Sequence, residues 1–346
     1  MALKNKWTKI AIVAIILLAL GGLSFGAYVG GRVWTNLLPL EHNYDEVYSL
    51  GNYSYDVGDD GLFKVLKIND THLFSGETEK DKKTLDGIEK TIAKESPDLI
   101  VLLGDIVDGF NLSLSYDKKR ALDKVATILE NYGAPWTLIP GNNEGEVDGN
   151  TKEVIAYLLG YEHFTSGNLV GIYGDVQFTI DLTQNGEVKH LLGFMDSGAR
   201  RPEVTGAYDH FRANQVEHML AVIQTKSVPT SLFFHMQTPK FERAYQNGEQ
   251  LENMPIRYSQ NFDTIPKNDI FDKLIEDESA IKLLSVGHQH GNSLCAYFEG
   301  RYYELASPSG YSAWRPEGVN PSVTTITINV EEDLAENIYR FEKIEI

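Results

Sequence analysis

Five short segments of this chain each end an apolar run with side chains that can bind metal ions. The segments are Asp70-Thr71-His72, Gly104-Asp105-Ile106-Val107-Asp108, Gly141-Asn142-Asn143-Glu144, His235 after Leu232-Phe233-Phe234, and Gly287-His288-Gln289-His290. Together they supply enough carboxylate, amide and imidazole donors for two divalent cations. Those donors are Asp70, His72, Asp105, Asn142, His235, His288 and His290. Two cations a few ångströms apart indicate hydrolysis of a phosphate ester before any other reaction.

Each segment directly follows a predicted buried strand, at 62–68, 99–103, 135–139, 231–234 and 281–286. Amphipathic helices are predicted at 77–94, 118–132 and 210–224. Asp70, Asp105 and Asn142 are spaced by 35 and 37 residues, about the length of one strand–helix–strand unit. Apolar strands alternating with such helices indicate a parallel sheet, and ligands bind at the carboxyl ends of its strands. We therefore expect the five segments to meet at one edge.

Other parts of the chain alternate polar and apolar residues and predict antiparallel strands. Residues 168–181 and 188–194 form one such pair around the turn Asn185-Gly186. The tail, at 297–305, 323–330 and 338–346, is expected to form a second antiparallel layer. The predicted fold class is α/β, as a four-layer α/β/β/α sandwich.

Composition and charge limit the classes of function. With 346 residues, 42% of them hydrophobic, the chain can bury a large core. Its net charge of −18 argues against a protein that grips a nucleic acid duplex, which needs a basic face. A small anionic substrate is still compatible, because bound cations reverse the local field. Cys295 is the single cysteine, so no internal disulfide can form.

The N-terminus predicts export. Lys4, Lys6 and Lys9 precede 22 uncharged residues, 10–31. A helix of that length spans a bilayer core of about 30 Å, and the lysines are expected on the cytoplasmic side. A cleaved signal peptide is the alternative, because Ser24-Phe25-Gly26 offers small residues to a peptidase. The predicted organisation is an anchor or signal at 1–34, a linker at 35–61 and a catalytic domain at 62–346, either held in the cell membrane and facing outwards or secreted.

In their order along the chain, the motifs Asp-x-His, Gly-Asp-x-x-Asp, Gly-Asn-x-Glu, a strand-end His and Gly-His-x-His resemble the calcineurin-like metallophosphoesterase superfamily. The resemblance covers about residues 65–311. Phe194-Met195-Asp196-Ser197-Gly198 and the segment 287–292 resemble the branch related to purple acid phosphatases.

The resemblance implies two divalent ions, Mn, Fe, Zn or Mg, and a small phosphate-ester substrate. It assigns Asp70, His72, Asp105 and His290 to one ion, and Asp105, Asn142, His235 and His288 to the other. Asp105 would bridge the two ions, and a hydroxide shared between them would attack phosphorus.

Two positions depart from the family pattern. Asn143 stands where many members have a histidine that protonates the leaving oxygen, and an amide cannot act as a general acid. Asn143 is therefore expected to contact the transition state without donating a proton, and His210 is a candidate for the missing donor. Asp108 stands where true purple acid phosphatases have a tyrosine ligand, so we expect no tyrosinate-to-iron colour.

Several further residues are open to two interpretations. Arg200 and Arg201 could clamp a phosphate or form a solvated pair. Glu144, Glu146 and Asp148 are expected to form a solvated face, the alternative being extra metal ligands. Tyr302, Tyr303 and Trp314 either line the cleft or pack, and packing is favoured. The alternative to an enzyme is an inactive member of the same fold that acts as an exported binding module.

Overall fold

The computed structural model describes residues 52–109, 117–145, 151–169, 171–199, 208–252, 254 and 268–346. In chain order its strands are β1 (Asn52–Asp56), β2 (Leu62–Ile68), β3 (Leu99–Leu103), β4 (Trp136–Ile139), β5 (Gln177–Gln184), β6 (Glu187–Met195), β7 (Thr230–Phe233), β8 (Glu249–Gln250), β9 (Ile281–Val286), β10 (Leu294–Phe298), β11 (Arg301–Leu305), β12 (Ser322–Asn329) and β13 (Tyr339–Glu345). Its helices are α1 (Glu79–Glu95), α2 (Lys118–Tyr132), α3 (Asn142–Gly145), α4 (Thr151–Leu158), α5 (Ala213–Lys226), α6 (Lys240–Asn247), α7 (Ile270–Leu274) and α8 (Ala335–Ile338).

The smaller sheet has the strand order β13-β12-β2-β3-β4. Strands β2, β3 and β4 are parallel, as the spacing of the first three motifs predicts. Helix α1 begins where the side chain of Thr78 accepts a hydrogen bond from Asp81 N, and α2 begins at the equivalent cap on Asp117. Helix α2 ends at Gly133, whose φ of 84° suits glycine. These short, capped crossovers return the chain to the same end of the sheet each time.

The larger sheet has the strand order β1-β5-β6-β7-β9-β11-β10-β8. Its central strands β6, β7, β9 and β11 are parallel. Neighbouring side chains along them belong to different cores: Leu283 packs between the two sheets, and Leu284 packs towards α5. These strands are apolar throughout because both faces of the sheet are covered. The two sheets thus pack face to face with helices outside, which confirms the mixed α/β prediction with two sheets.

The prediction that the whole tail forms one antiparallel layer is wrong. Strands β10 and β11 join the larger sheet, where β11 pairs in parallel with β9, whereas β12 and β13 flank the smaller sheet beside β2. Alternating hydrophobicity identifies a strand but does not reveal which sheet edge it joins. Strand β1, which lies in the stretch expected to be a linker, also pairs in parallel with β5.

Polar side chains cross the interior between the two sheets. His190 Nε2 lies 2.8 Å from Ser231 Oγ, which lies 2.8 Å from Tyr339 Oη on the smaller sheet. Nearby, the fully buried Lys67 and Glu304 form an ion pair, and Lys67 Nζ also donates to Val286 O at 3.0 Å. Buried groups of this kind tolerate few alternative partners, so they help to set the register of one sheet on the other.

His190 predicts how stability responds to acid. Burial lowers the pKa of His190 from 6.5 to about 3, so the folded protein keeps the imidazole neutral while the unfolded chain takes up a proton below pH 6.5. The contribution of His190 to folding stability is therefore present above pH 6.5 and is lost as the pH falls below that value. Between pH 7 and pH 5 this residue should cost about 2 kcal/mol of unfolding free energy. Urea unfolding in chelator should show a shallower pH slope for His190→Gln than for the wild type, and equal slopes would contradict the prediction.

Within the residues that the structure describes, we find no helix with the length and hydropathy that a membrane span requires. The predicted anchor at 10–31 and the residues Arg200, Arg201, Glu146 and Asp148 lie outside the described residues.

Candidate metal centre

The five motif segments meet where the carboxyl ends of the two sheets come together. Strands β2, β3 and β4 supply three segments from the smaller sheet, and β7 and β9 supply two from the larger sheet. Backbone hydrogen bonds join them: Asp70 N donates to Gly104 O at 2.9 Å, and Gly287 N donates to His235 O at 3.0 Å. A bond between the sheets also forms, because His288 N donates to Asp70 Oδ2 at 2.9 Å.

The side chains form two groups with the geometry of metal ligands. One group is Asp70, His72, Asp105 and His290, and the other is Asp105, His235 and His288. Within each group, one potential ligand atom from every residue lies within 4.8 Å of the others. Asp105 belongs to both groups, so a single carboxylate connects them. Six of the seven side chains that the sequence names as metal ligands are therefore brought together, and metal binding by them stays a prediction.

The geometry of His235 fits a metal ion. Its Nδ1 atom lies 2.8 Å from the carbonyl oxygen of Leu103, so Nδ1 carries the proton and Nε2 keeps its lone pair. Nε2 is buried and makes no hydrogen bond within the described residues, yet it lies 3.5 Å from Asp105 Oδ1 and 4.0 Å from Asp70 Oδ1. A buried nitrogen lone pair facing two carboxylates needs a cation or a proton between them.

Charges in the cluster favour a cation at this place. Burial opposes ionisation of Asp70, but its hydrogen bond with His290 and the nearby imidazoles outweigh burial and hold its pKa well below the usual range. Burial likewise opposes charge on His235, but Asp105 and Asp70 raise its pKa to about 10. Burial and the neighbouring His235 lower the pKa of His288 to about 4, which leaves a neutral imidazole. Metal ions would displace the protons that this cluster attracts.

Four of the proposed ligand residues share a strained backbone conformation. Asp70, His72, Asp105 and His288 all have positive φ, between 46° and 71°. L-residues adopt this region at a cost of about 1–2 kcal/mol each, which the surrounding fold has to supply. The close packing also requires glycine, because a Cβ atom on Gly141 would lie 2.2 Å from Asp105 Oδ1.

Asn142 and Asn143 begin the short helix α3, directly after β4. Both side chains are largely buried, and Asn142 Nδ2 donates to Asn143 Oδ1 at 3.2 Å. Asn143 N donates to Asp105 Oδ1 at 2.8 Å, and the side-chain Nδ2 of Asn143 lies 3.0 Å from His72 Nδ1. The structure therefore places both asparagines beside the two ligand groups, and their roles as a ligand and as a transition-state contact stay predictions.

Glu144 is not part of a solvated face, and this expectation was wrong. Its side chain is fully buried and accepts hydrogen bonds from four backbone N–H groups. The donors are Asp105 and Gly141 to Oε2, at 2.9 and 2.7 Å, and Ile106 and Val107 to Oε1, at 2.8 and 3.3 Å. Glu144 thus holds the two loops after β3 and β4 in one arrangement. The Gly-Asn-x-Glu motif at 141–144 was the signal that could have revealed this role.

Replacing Glu144 by glutamine should weaken the site without touching a ligand. One carboxylate oxygen becomes an NH₂ group that faces N–H donors, which leaves buried donors unpaired at about 1–3 kcal/mol of unfolding free energy. Affinity for Mn²⁺, measured by calorimetry, should fall about 10–100-fold because the loop carrying Asp105 is no longer fixed. The matched control is Glu89→Gln on the exposed face of α1. Equal Mn²⁺ affinity in the two variants would contradict the role.

Two further side chains at the site were missed or underrated. Asp108 Oδ1 lies 3.5 Å from His72 Nδ1, a position suited to orienting that imidazole. The ring of Tyr208 packs edge-on against His288, with 4.8 Å between centroids. Sequence pattern offered no signal for Tyr208, because it follows no strand.

Four further residues singled out in the sequence, one histidine and three aromatic residues, lie within the described part of the chain. His210 borders a small cavity with Ser197 and Met236, next to His235, and burial and Arg212 lower its pKa, which favours the neutral imidazole. Tyr302 and Tyr303 are buried, as predicted. Trp314 is 67% exposed, so the prediction that it packs was wrong.

The described geometry, two sheets that hold a shared-carboxylate cluster at their common edge, is that of a dimetal phosphoesterase. The chain belongs to the calcineurin-like phosphoesterase family, whose model matches residues 63–304. This confirms the resemblance seen in the motifs.

Relatives and solved structures agree with this family. The chain is 24% identical over 330 residues to probable inactive purple acid phosphatase 14 of Arabidopsis thaliana, covering 83% of this chain and 80% of that protein. It is 25% identical over 266 residues to phosphatase DCR2 of Saccharomyces cerevisiae, covering 68% of this chain but 45% of that protein. A dimetal phosphatase from Danio rerio has a similar fold, with a TM-score of 0.52 and 12% identity over 82% of this chain and 98% of its own.

Proposed function

We propose that this protein is an exported, membrane-anchored phosphoesterase that uses two divalent metal ions to hydrolyse small phosphate esters. The observation that carries the proposal is Asp105, the one carboxylate that belongs to both groups of potential ligands. A carboxylate shared in this way brings two cations close enough to act on one phosphoryl group.

The proposed ligands follow the two groups. Asp70, His72, Asp105 and His290 would hold one ion, and Asp105, His235 and His288, with Asn142, would hold the other. The donors are nitrogen and oxygen without thiolate, a set that suits Mn, Fe, Zn or Mg. When bound, the two ions would lower the pKa of a water and neutralise the phosphoryl oxygens.

Other residues of the protein would orient the proposed ligands and stabilise the phosphoryl group. Asp108 keeps His72 in one orientation, and Glu144 fixes the loop that carries Asp105. The amide of Asn143, next to His72, can donate a hydrogen bond to a phosphoryl oxygen. The amide of Asn143 cannot protonate the leaving oxygen, and burial and Arg212 lower the pKa of His210, which disfavours its protonated form, so we infer that the favoured substrates have good leaving groups.

The location rests on the N-terminal segment. Three lysines followed by 22 uncharged residues favour a single span, with the catalytic domain outside the cell. Protease treatment of intact cells that express the chain should remove the catalytic domain if it faces outwards, and protection of that domain would refute the proposal.

A second candidate function is an inactive, metal-binding module on the same fold. Two observations favour it: the name of the Arabidopsis thaliana relative, "probable inactive", and Asn143 at the position of the family's proton donor. Against it stands the ligand cluster, because a module without turnover has no need of a shared carboxylate.

Turnover measured on the purified chain separates the two. With Mn²⁺, nitrophenyl phosphate monoesters and diesters should be hydrolysed, and the ratio of the two rates shows which ester is preferred. No turnover with Mn²⁺, Fe²⁺, Zn²⁺ or Mg²⁺, together with two bound ions per chain by metal analysis, would establish the binding module instead.

A further inference from the structure

Asn69, the residue before the first ligand motif, is fully buried, and its side-chain nitrogen contacts Asp70. Asn69 Nδ2 donates to Asp70 Oδ2 at 2.7 Å and to Ser307 O at 3.3 Å. A carboxylate and a carbonyl oxygen can only accept, so these bonds fix which end of the amide is nitrogen. Asn69 Oδ1 is buried and makes no hydrogen bond within the described residues. Because an unpaired buried acceptor costs free energy, the two N–H groups and not the oxygen orient this amide.

The two carboxylate oxygens of Asp70 have different surroundings. Oδ2 accepts hydrogen bonds from Asn69 Nδ2 and from His288 N, at 2.7 and 2.9 Å. Oδ1 accepts neither of these bonds and lies 3.3 Å from His290 Nε2 and 4.0 Å from His235 Nε2. Two donors on one oxygen fix the rotation of the whole carboxylate. Oδ1 is therefore the oxygen that faces the imidazole nitrogens of the two ligand groups.

The space around this pair is closed by the larger sheet at Gly287. A Cβ atom on Gly287 would lie 2.8 Å from Asp70 Oδ2 and 3.1 Å from Asn69 Cβ. Asn69 and Asp70 are at most 1% exposed. A carboxylate oxygen buried to this degree depends on donors from the protein. Asn69 supplies the side-chain donor, and His288 supplies the backbone donor.

The backbone of Asn69 is held by the segment 307–310, which leads from β11 in the larger sheet towards β12 in the smaller sheet. Ser309 N donates to Asn69 O at 2.8 Å, and Asn69 N donates to Ser309 Oγ at 3.1 Å. Gly310 N donates to Asp70 O at 3.2 Å, and a Cβ atom on Gly310 would lie 1.9 Å from a backbone oxygen of the first motif. These contacts fix the position from which the amide of Asn69 reaches Asp70.

We propose that Asn69 is a positioning residue of the metal centre, which holds Asp70 Oδ2 so that Oδ1 is presented to the ion. This role rests on the proposed function, because it requires the metal ions. Asp70 belongs to only one of the two ligand groups, the one with His72, Asp105 and His290. Asn69 therefore acts on one ion and not on the other, and it acts only through Asp70.

Calorimetric titration with Mn²⁺ tests this role, on the full chain in detergent micelles after its metal has been removed with chelator. The wild type should show two binding steps. Asn69→Leu removes both N–H donors and keeps the branched shape of the side chain. The affinity of one step should fall about 10–100-fold, because the Asp70 carboxylate is free to rotate, and the other step should keep its affinity. Asn69→Ala lacks the same donors without added bulk and should lose affinity at the same step.

Ser309→Ala is the matched control. It removes the hydroxyl that accepts from Asn69 N and donates to Ser322 O at 2.9 Å, and it leaves the donors to Asp70 in place. This variant should keep both Mn²⁺ affinities. Urea unfolding in chelator should show a cooperative transition for all three variants.

The outcomes separate this role from the proposed function. Wild-type affinities in both Asn69 variants, or an equal loss in Ser309→Ala, would overturn the role of Asn69 alone. A wild-type chain that binds no Mn²⁺ would overturn this role together with the proposed function.

Discussion

Asp105→Asn should lower phosphatase activity about 1,000-fold or more, because the shared carboxylate is the only charge that both ligand groups have in common. An amide has one oxygen to offer and no negative charge, so it cannot bridge two cations. The NH₂ group would also face Asn143 N, which donates to Asp105 Oδ1 at 2.8 Å in the native protein. Metal analysis should accordingly show a fall from two ions per chain to one or fewer.

The control for this variant is Asp86→Asn, which removes an exposed carboxylate from α1. It should keep full activity and both ions. Thermal unfolding in chelator separates loss of metal from loss of fold, since Asp105→Asn should remain folded there. An Asp105→Asn protein with two ions and normal turnover would exclude the proposed centre.

Asn143→His should raise kcat/KM for an alkyl phosphate such as glycerol phosphate by about 100-fold. The backbone of residue 143 is fixed beside Asp105, and its side chain lies 3.0 Å from His72 Nδ1, so an imidazole would be held at the edge of the site. Asp108, 3.5 Å from the same atom of His72, provides a nearby negative charge that favours the protonated imidazole. The new group could then protonate a poor leaving oxygen.

The substrate pair supplies the control for this prediction. Nitrophenolate leaves without a proton, so kcat/KM for nitrophenyl phosphate should stay about the same in Asn143→His. The gain with the alkyl ester should disappear above the pKa of the new imidazole. Equal gains on both esters, or no gain on either, would show that the missing proton donor does not limit the rate of hydrolysis.

The sequence predicted the parts of the fold that local pattern controls. The strands of the first three motifs and the helices between them lie close to their predicted positions. The hairpin at Asn185-Gly186 also forms, but its first strand begins at Gln177, nine residues after the predicted start at residue 168. Hydrophobic period and spacing suffice for such elements, because each crossover is short and both faces of the sheet are covered. The tail strands β10 to β13 carry the same local pattern and yet separate into two sheets, since strand pairing is decided by distant partners such as β2 and β9.

At the candidate metal centre too, local sequence pattern predicted some features and tertiary packing decided others. Glu144 resembled a surface acid because charge patterning gives no information on burial, and only the packing of α3 against the loops after β3 and β4 reveals its four N–H partners. Trp314 resembled a core residue for the same reason and is exposed.

By itself, the sequence determined which side chains could bind metal, in what order they occur and that each follows a strand. Those properties are local, because a ligand's chemistry and a strand's apolar run are both written in a few consecutive residues. Only the tertiary structure decided that Asp70 and Asp105 from one sheet face His235 and His288 from the other, at distances that a shared carboxylate can connect. That arrangement depends on the packing of two sheets over a common core, which no single segment specifies.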